Sequence, residues 1–257
     1  STIFTSDDIS TTEEVCDYLT TSFNSRITVS TYNNFTEEGE SHVNLTFTCG
    51  RYTCPLGKTE WTSNGATAEL TADFPHCPWG ILRGYKEGYE DAQKFMTANS
   101  ETKYATLDLK PVKEYSNYTL VKQVYMPKNK EANRLGFETP VKDDEEAIIM
   151  IKSPGMQDQY AAYPSEVLSP LKLYKDKQFA YNITIYLFSK GDTEEDGKLL
   201  GAYEAEFSPE PATVLENNFI KFHVLEYTTS DEEELGLFLS GIRSYSGLIS
   251  QPEFEKR

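Results

Sequence analysis

Positive charge is scarce in this sequence of 257 residues: 24 Lys and Arg stand against 41 Asp and Glu, for a formal net charge of −17. A surface of that sign repels phosphate backbones within a Debye length, which excludes nucleic acid as a partner. Long apolar runs are missing too. No stretch approaches the roughly 18 consecutive apolar residues of a membrane-spanning helix, so no membrane span is expected. The composition of a disordered polymer is equally absent, because 17 Tyr and 14 Phe provide the material of a core.

Patterns that carry chemistry are also thin. Ser240-Gly241 and Ser246-Gly247 lack the leading Gly-x of a nucleophile elbow, and the histidines are His42, His76 and His223 alone. His223 sits in an alternating run and reads as structural. Gly57-Lys58-Thr59 has Tyr52 where a P-loop requires its first Gly. Asp192, Glu194, Asp196 and Gly197 start like an EF-hand loop, but Tyr203 stands where the bidentate Glu belongs, so a solvated hairpin tip is the expectation. No catalytic residue, metal or cofactor is therefore expected. Carboxylates are plentiful, which keeps a carbohydrate-active enzyme as an alternative.

Cysteine is sparse but even in number, at Cys16, Cys49, Cys54 and Cys77. Cys49 and Cys54 have metal-like spacing, whereas Cys16 and Cys77 stand alone, so disulfides are favoured over zinc. Four cysteines allow three connectivities. Pro-rich turns at Cys54 and Cys77 bracket a hairpin-like stretch, which leads us to expect Cys54–Cys77 with Cys16–Cys49 as the remaining pair. Four Asn-x-Thr sequons, at Asn34, Asn44, Asn117 and Asn182, point to the same oxidising compartment and to N-linked glycans. The chain opens at Ser1 without a charged-then-apolar leader, as a mature secreted chain would. An extracellular or cell-surface location follows.

Along the chain, Thr11-Thr12-Glu13-Glu14 opens like a capping box and predicts a short helix near 11–22. From Arg26 the period falls to two. Ile27/Val29, Val43/Leu45/Phe47, Ala66/Ala68/Leu70, Ile81/Arg83/Tyr85 and Tyr104–Leu109 read as strands, with a hairpin at Asn64-Gly65. Tyr118–Tyr125, Phe179–Phe188, Leu199–Phe207 and Phe219–Leu225 continue the series. Ala147–Ile151 is unbroken apolar sequence, of the kind expected in a strand buried on both faces. Closely spaced strands without long helical patterns between them predict sandwiches rather than βαβ units. After Asp231–Glu234 the tail turns apolar, so it is either donated as a strand to a neighbour or closes the chain's own second domain.

Cys54-Pro-Leu-Gly-Lys-Thr, Gly65-Ala66, Phe74-Pro-His-Cys77-Pro-Trp-Gly80 and Gly84-Tyr-Lys-Glu-Gly-Tyr89, taken in order, resemble the carboxypeptidase-regulatory-like, or transthyretin-like, β-sandwich over residues 26–112. Cys54 and Cys77 lie outside that general pattern and are similar to a version found in large secreted surface proteins of archaea. The resemblance implies a structural or adhesive spacer without catalytic residues. The expected fold is all-β: an N-terminal segment (1–25) with a short helix, a transthyretin-like sandwich (26–114), a second Ig/transthyretin-like sandwich (115–228) and an acidic, apolar tail (229–257). The expected role is that of a noncatalytic surface glycoprotein, a subunit of a surface layer or filament or an adhesion module, self-associating or binding other surface proteins. A secreted acidic decoy that captures a basic partner is the alternative from a different class.

Overall fold

The computed structural model describes residues 16, 21, 24–126, 134–165, 169–191, 197–227 and 229–257. Cys16 and Thr21 are helical; the other positions of the expected N-terminal helix lie outside the described residues, as do positions 192–196 of the expected hairpin tip. The chain is all-β with short helices, and it divides into two units, Ser1–Val112 and Lys113–Arg257.

In the first unit the period-two sequence converts directly into half-buried strands. They are β1 (Asn24–Asn33), β2 (Asn44–Cys49), β3 (Tyr52–Lys58), β4 (Glu60–Trp61), β5 (Ala68–Pro75), β6 (Cys77–Tyr85), β7 (Ala92–Ala98) and β8 (Tyr104–Leu109). One sheet runs β4-β5-β1-β8 and the other β3-β2-β6-β7, with β8 parallel to β1. Alternate residues of both sheets, Ile27 and Val29 against Leu45, Phe47 and Leu82, close over one core. Phe47 and Phe74 meet across it edge to face at 5.1 Å. Gly80 is required there, because a Cβ at that position would lie 2.0 Å from the Phe47 ring.

β9 (Val112–Tyr115) begins at the last residue of the first unit, and in the second unit β10 (Tyr118–Met126), β11 (Arg134–Leu135), β12 (Thr139–Pro140), β13 (Glu145–Lys152), β14 (Gln159–Tyr163), β15 (Leu171–Tyr174), β16 (Tyr181–Ser189) and β17 (Leu199–Phe207) precede a short helix, α1 (Pro211–Glu216). Then come β18 (Phe219–Glu226), α2 (Glu232–Ser240), α3 (Ile242–Ser246) and β19 (Glu253–Glu255). The main sheet is ordered β11-β10-β18-β17-β16-β13-β14, while β9 pairs with β15. β18 lies parallel to β10 on one side; on the other it meets β19 through Phe219–Lys221 and β17 only through Leu225 and Glu226. Gly201 permits the β17 crossing, since a Cβ there would lie 1.9 Å from the Leu225 carbonyl oxygen.

Two expectations change. β13 is not buried on both faces: Ala147, Ile149 and Ile151 point inward while Ile148 and Lys152 are exposed. The doubly buried strand is β18, where Phe222, His223, Val224 and Leu225 are all buried, because neighbours cover both of its faces. The tail, of the two alternatives, closes its own unit, and it does so largely as helix. Asp231 caps α2 by accepting from the backbone N–H groups of Glu233 and Glu234, so the acidic run is a helix start that complements the dipole. The last residues are tied down: β19 pairs with β18, and the Arg257 guanidinium lies 3.5 Å above the Phe219 ring.

Candidate functional site

Disulfides and sequons give the first unit its chemical signature. Cys16 is joined to Cys54 (Cα–Cα 5.4 Å) and Cys49 to Cys77 (Cα–Cα 5.9 Å). The expected Cys54–Cys77 and Cys16–Cys49 pairs are thus corrected. β3 and β6 are not a hairpin, because β2 lies between them. Two strand spacings put β3 and β6 about 9–10 Å apart, beyond the roughly 7 Å a disulfide spans, and Cys54 stands in register with Phe47 and Leu82 rather than with Cys77. Cys49, at the end of β2, stands opposite Gly80 of β6, near Cys77. Asn34, Asn44, Asn117 and Asn182 all present exposed side chains. Asn44 and Asn182 lie on outward faces, alternating with buried Leu45 and Ile183.

The outward face of the β3-β2-β6-β7 sheet carries large rings in water. Trp79 of β6 is 84% exposed and Phe95 of β7 71%, with exposed Tyr85 farther along β6 in register with Asn44. Between them Arg83 donates to Thr48 Oγ1 at 3.2 Å. Elsewhere on this unit Ser41, His42 and Glu60 stand in a row: Ser41 Oγ is 2.9 Å from His42 Nδ1, and His42 Nε2 is 3.6 Å from Glu60. Both His42 and Glu60 are exposed, outside the desolvated setting that gives a triad its strength.

Charge is concentrated inside the second unit. Lys122 of β10, only 2% exposed, donates to Glu145 of β13 at 2.5 Å and pairs with Glu226 of β18 at 2.9 Å. Glu145 also accepts from the Lys142 backbone N–H at 2.9 Å and lies 3.7 Å from the Lys142 ammonium. Burial works against the Lys122 charge, yet hydrogen bonds to Glu145 and Glu226 outweigh it and hold this lysine above its ordinary pKa. Burial likewise opposes the Glu145 charge, and the Lys122 and Lys142 bonds outweigh it, keeping its carboxyl below the usual value. The arrangement locks three strands together.

A second cluster surrounds the buried His223. Glu138, just before β12, has Oε1 3.3 Å from His223 Nδ1; Glu253 of β19 has Oε1 3.5 Å from Nε2. Lys221, two residues along β18, reaches Glu138 at 2.6 Å and Glu253 at 3.4 Å. Burial, ahead of the opposing pull of the two carboxylates, holds His223 below its ordinary pKa and therefore neutral near pH 7. Neither cluster was anticipated from sequence. The signal was present: Lys122 shares the parity of Tyr118 and Leu120, and Glu145 that of Ala147 and Ile149, so each charge falls at an inward position.

The tail adds a cleft of about 210 Å³ lined by Tyr125, Tyr227, Glu234, Leu237, Phe238 and Tyr245. Its rings fill much of their own space, with Phe238 and Tyr245 stacked at 5.7 Å and Tyr125 4.9 Å from Tyr245. Among the described residues no helix is long and apolar enough to cross a membrane.

No protein-family model and no curated protein sequence matches the chain. The transthyretin-like resemblance therefore rests on its motifs alone. Solved structures do align with it. The Bacillus anthracis TIE protein matches at 14% identity and a TM-score of 0.28, over 80% of this chain and 34% of its own, so this chain spans about a third of that protein. A putative carbohydrate binding protein from Bacteroides uniformis matches at 11% and 0.25, over 72% and 100%. The shaft pilin SpaA of Lactobacillus rhamnosus GG matches at 10% and 0.25, over 81% and 99%. Likeness at this level assigns no activity.

Proposed function

We propose that this protein is a noncatalytic, extracytoplasmic glycoprotein that serves as a structural or adhesive component of a cell surface. Its first unit is a transthyretin-like sandwich module in this reading, and its partners are further copies of the chain or other surface proteins. The observation that carries the proposal is the outward face of the β3-β2-β6-β7 sheet. One disulfide ties its β3 to Cys16 and the other braces β2 against β6 within the sheet; it carries the Asn44 sequon near one end and leaves Trp79 and Phe95 in water toward the other. Disulfides belong to an oxidising compartment. Exposed aromatics of this size mark contact surfaces, because rings bury much apolar area for little conformational entropy. A glycan at the exposed Asn44 would cover the Tyr85 end of this face and leave the Trp79 and Phe95 end open.

The experiment is a concentration series by size-exclusion chromatography with light scattering, on the wild type and on Trp79→Ser/Phe95→Ser. The reading expects concentration-dependent assembly that the double variant abolishes while its thermal melt is unchanged. A wild type that stays monomeric, both alone and with cell-envelope extract, overturns it.

A further inference from the structure

The His223 cluster has a feature that its ion pairs do not explain. The imidazole is fully buried, yet neither ring nitrogen makes a hydrogen bond among the described residues. The oxygens of Glu138 and Glu253 stand beside the two nitrogens, at 3.3 and 3.5 Å, without hydrogen-bond geometry. A neutral imidazole carries one N–H and one lone pair, and leaving both unused in a desolvated place costs free energy. One ligand atom from each of Glu138, His223 and Glu253 falls within 4.8 Å of the others. In a tetrahedral zinc site, bonds of about 2.0 Å place neighbouring ligand atoms roughly 3.3 Å apart.

We propose that Glu138, His223 and Glu253 form a binding site for a zinc-class divalent cation. One imidazole nitrogen and an oxygen from each carboxylate ligate the ion. Ligation uses the lone pair of one ring nitrogen, and the other nitrogen keeps its proton. Nitrogen with two carboxylates suits zinc and its transition-metal neighbours rather than calcium, which takes oxygen alone. The two carboxylates are 37% and 43% exposed, so the ion enters from solvent and water completes its coordination. Lys221 is the competitor. Its ammonium now bridges the same two carboxylates, and its side chain remains part-exposed, so on metal binding it swings to water. Because Glu138 precedes β12, His223 sits in β18 and Glu253 in β19, the ion would clip the C-terminal strand to its sheet.

The test is calorimetric titration of the full, tag-free, chelator-treated chain with Zn²⁺, repeated with Co²⁺ so that visible d–d bands report the ligand set. One equivalent is expected, weakened at least tenfold by Glu138→Gln and by Glu253→Gln. Lys221→Met is expected to tighten binding several-fold, because the ammonium no longer competes. These three surface-reaching substitutions leave His223 in place, so a folding failure of His223→Ala does not decide the matter. No saturable binding, binding unchanged in both Gln variants, or weaker binding in Lys221→Met overturns the site. None of these outcomes touches the surface-glycoprotein reading, which rests on the other unit.

Discussion

Replacing Lys122 by Met leaves the buried Glu145 carboxylate, and the Glu226 carboxylate of β18, without the cation that both contact. In the native cluster the formal charges of Lys122 and Lys142 balance those of Glu145 and Glu226, with Lys122 and Glu145 almost wholly buried. Removing one partner of such a buried pair costs about 3–5 kcal/mol, a large part of the roughly 5–15 kcal/mol that holds a domain together. Met keeps the length of the side chain, so the loss is electrostatic rather than a cavity. The pH dependence separates this account from simple misfit. In the wild type Glu145 titrates below its ordinary 4.5, so its contribution is present above that pH and is lost as pH falls through the folded-state value. In Lys122→Met the same buried carboxyl lacks its main cation and titrates above the ordinary value. The folded variant then binds more protons than its unfolded chain, and acid favours it. Guanidinium titrations monitored on the second unit should therefore show a gap between wild type and variant that is widest near pH 7 and narrows toward pH 4. A loss below about 1 kcal/mol at pH 7, the range of an exposed pair, or a gap that does not change with pH refutes the reasoning.

Non-reducing peptide mapping should join Cys16 to Cys54 and Cys49 to Cys77, and replacing Cys49 and Cys77 by Ser should destabilise the first unit by about 2–4 kcal/mol in denaturant; recovery of a Cys54–Cys77 peptide contradicts the strand order. Gly80→Ala, whose new methyl would fall 2.0 Å from the Phe47 ring, should cost about 1–3 kcal/mol by thermal melt, and an unchanged melting temperature argues against the packing described. Deleting residues 230–257 strips Phe238 from the Tyr125 and Tyr227 rings and Phe254 from Tyr115 and Phe207, so dye binding should report exposed apolar surface on the second unit. A truncated chain that melts like the wild type means the tail is not part of that unit's fold.

Much of the architecture was legible in the residues themselves. Period-two alternation at Ile27/Val29, Leu45/Phe47 and Ile183/Ile185 depends only on the geometry of a strand, so it marked the strands and the inward faces without knowledge of their neighbours. The even cysteine count and the exposed sequon asparagines were local facts of the same kind. Strand neighbours were not local. The disulfide expectation failed because sequence shows that Cys54 and Cys77 flank a turn-rich stretch, but only the sheet shows that β2 intervenes. The same reason separates β13 from β18: an apolar run reports affinity for a core, while burial on both faces depends on which elements come to cover it. The charged clusters were decided at this level as well. Lys122 of β10 and Glu145 of β13 have β18, β17 and β16 between them in the sheet order, and Glu138 and Glu253 reach His223 from segments far apart in sequence, so only the folded arrangement brings either set together. Propensity and parity are properties of a segment, whereas a site is a property of which segments become neighbours.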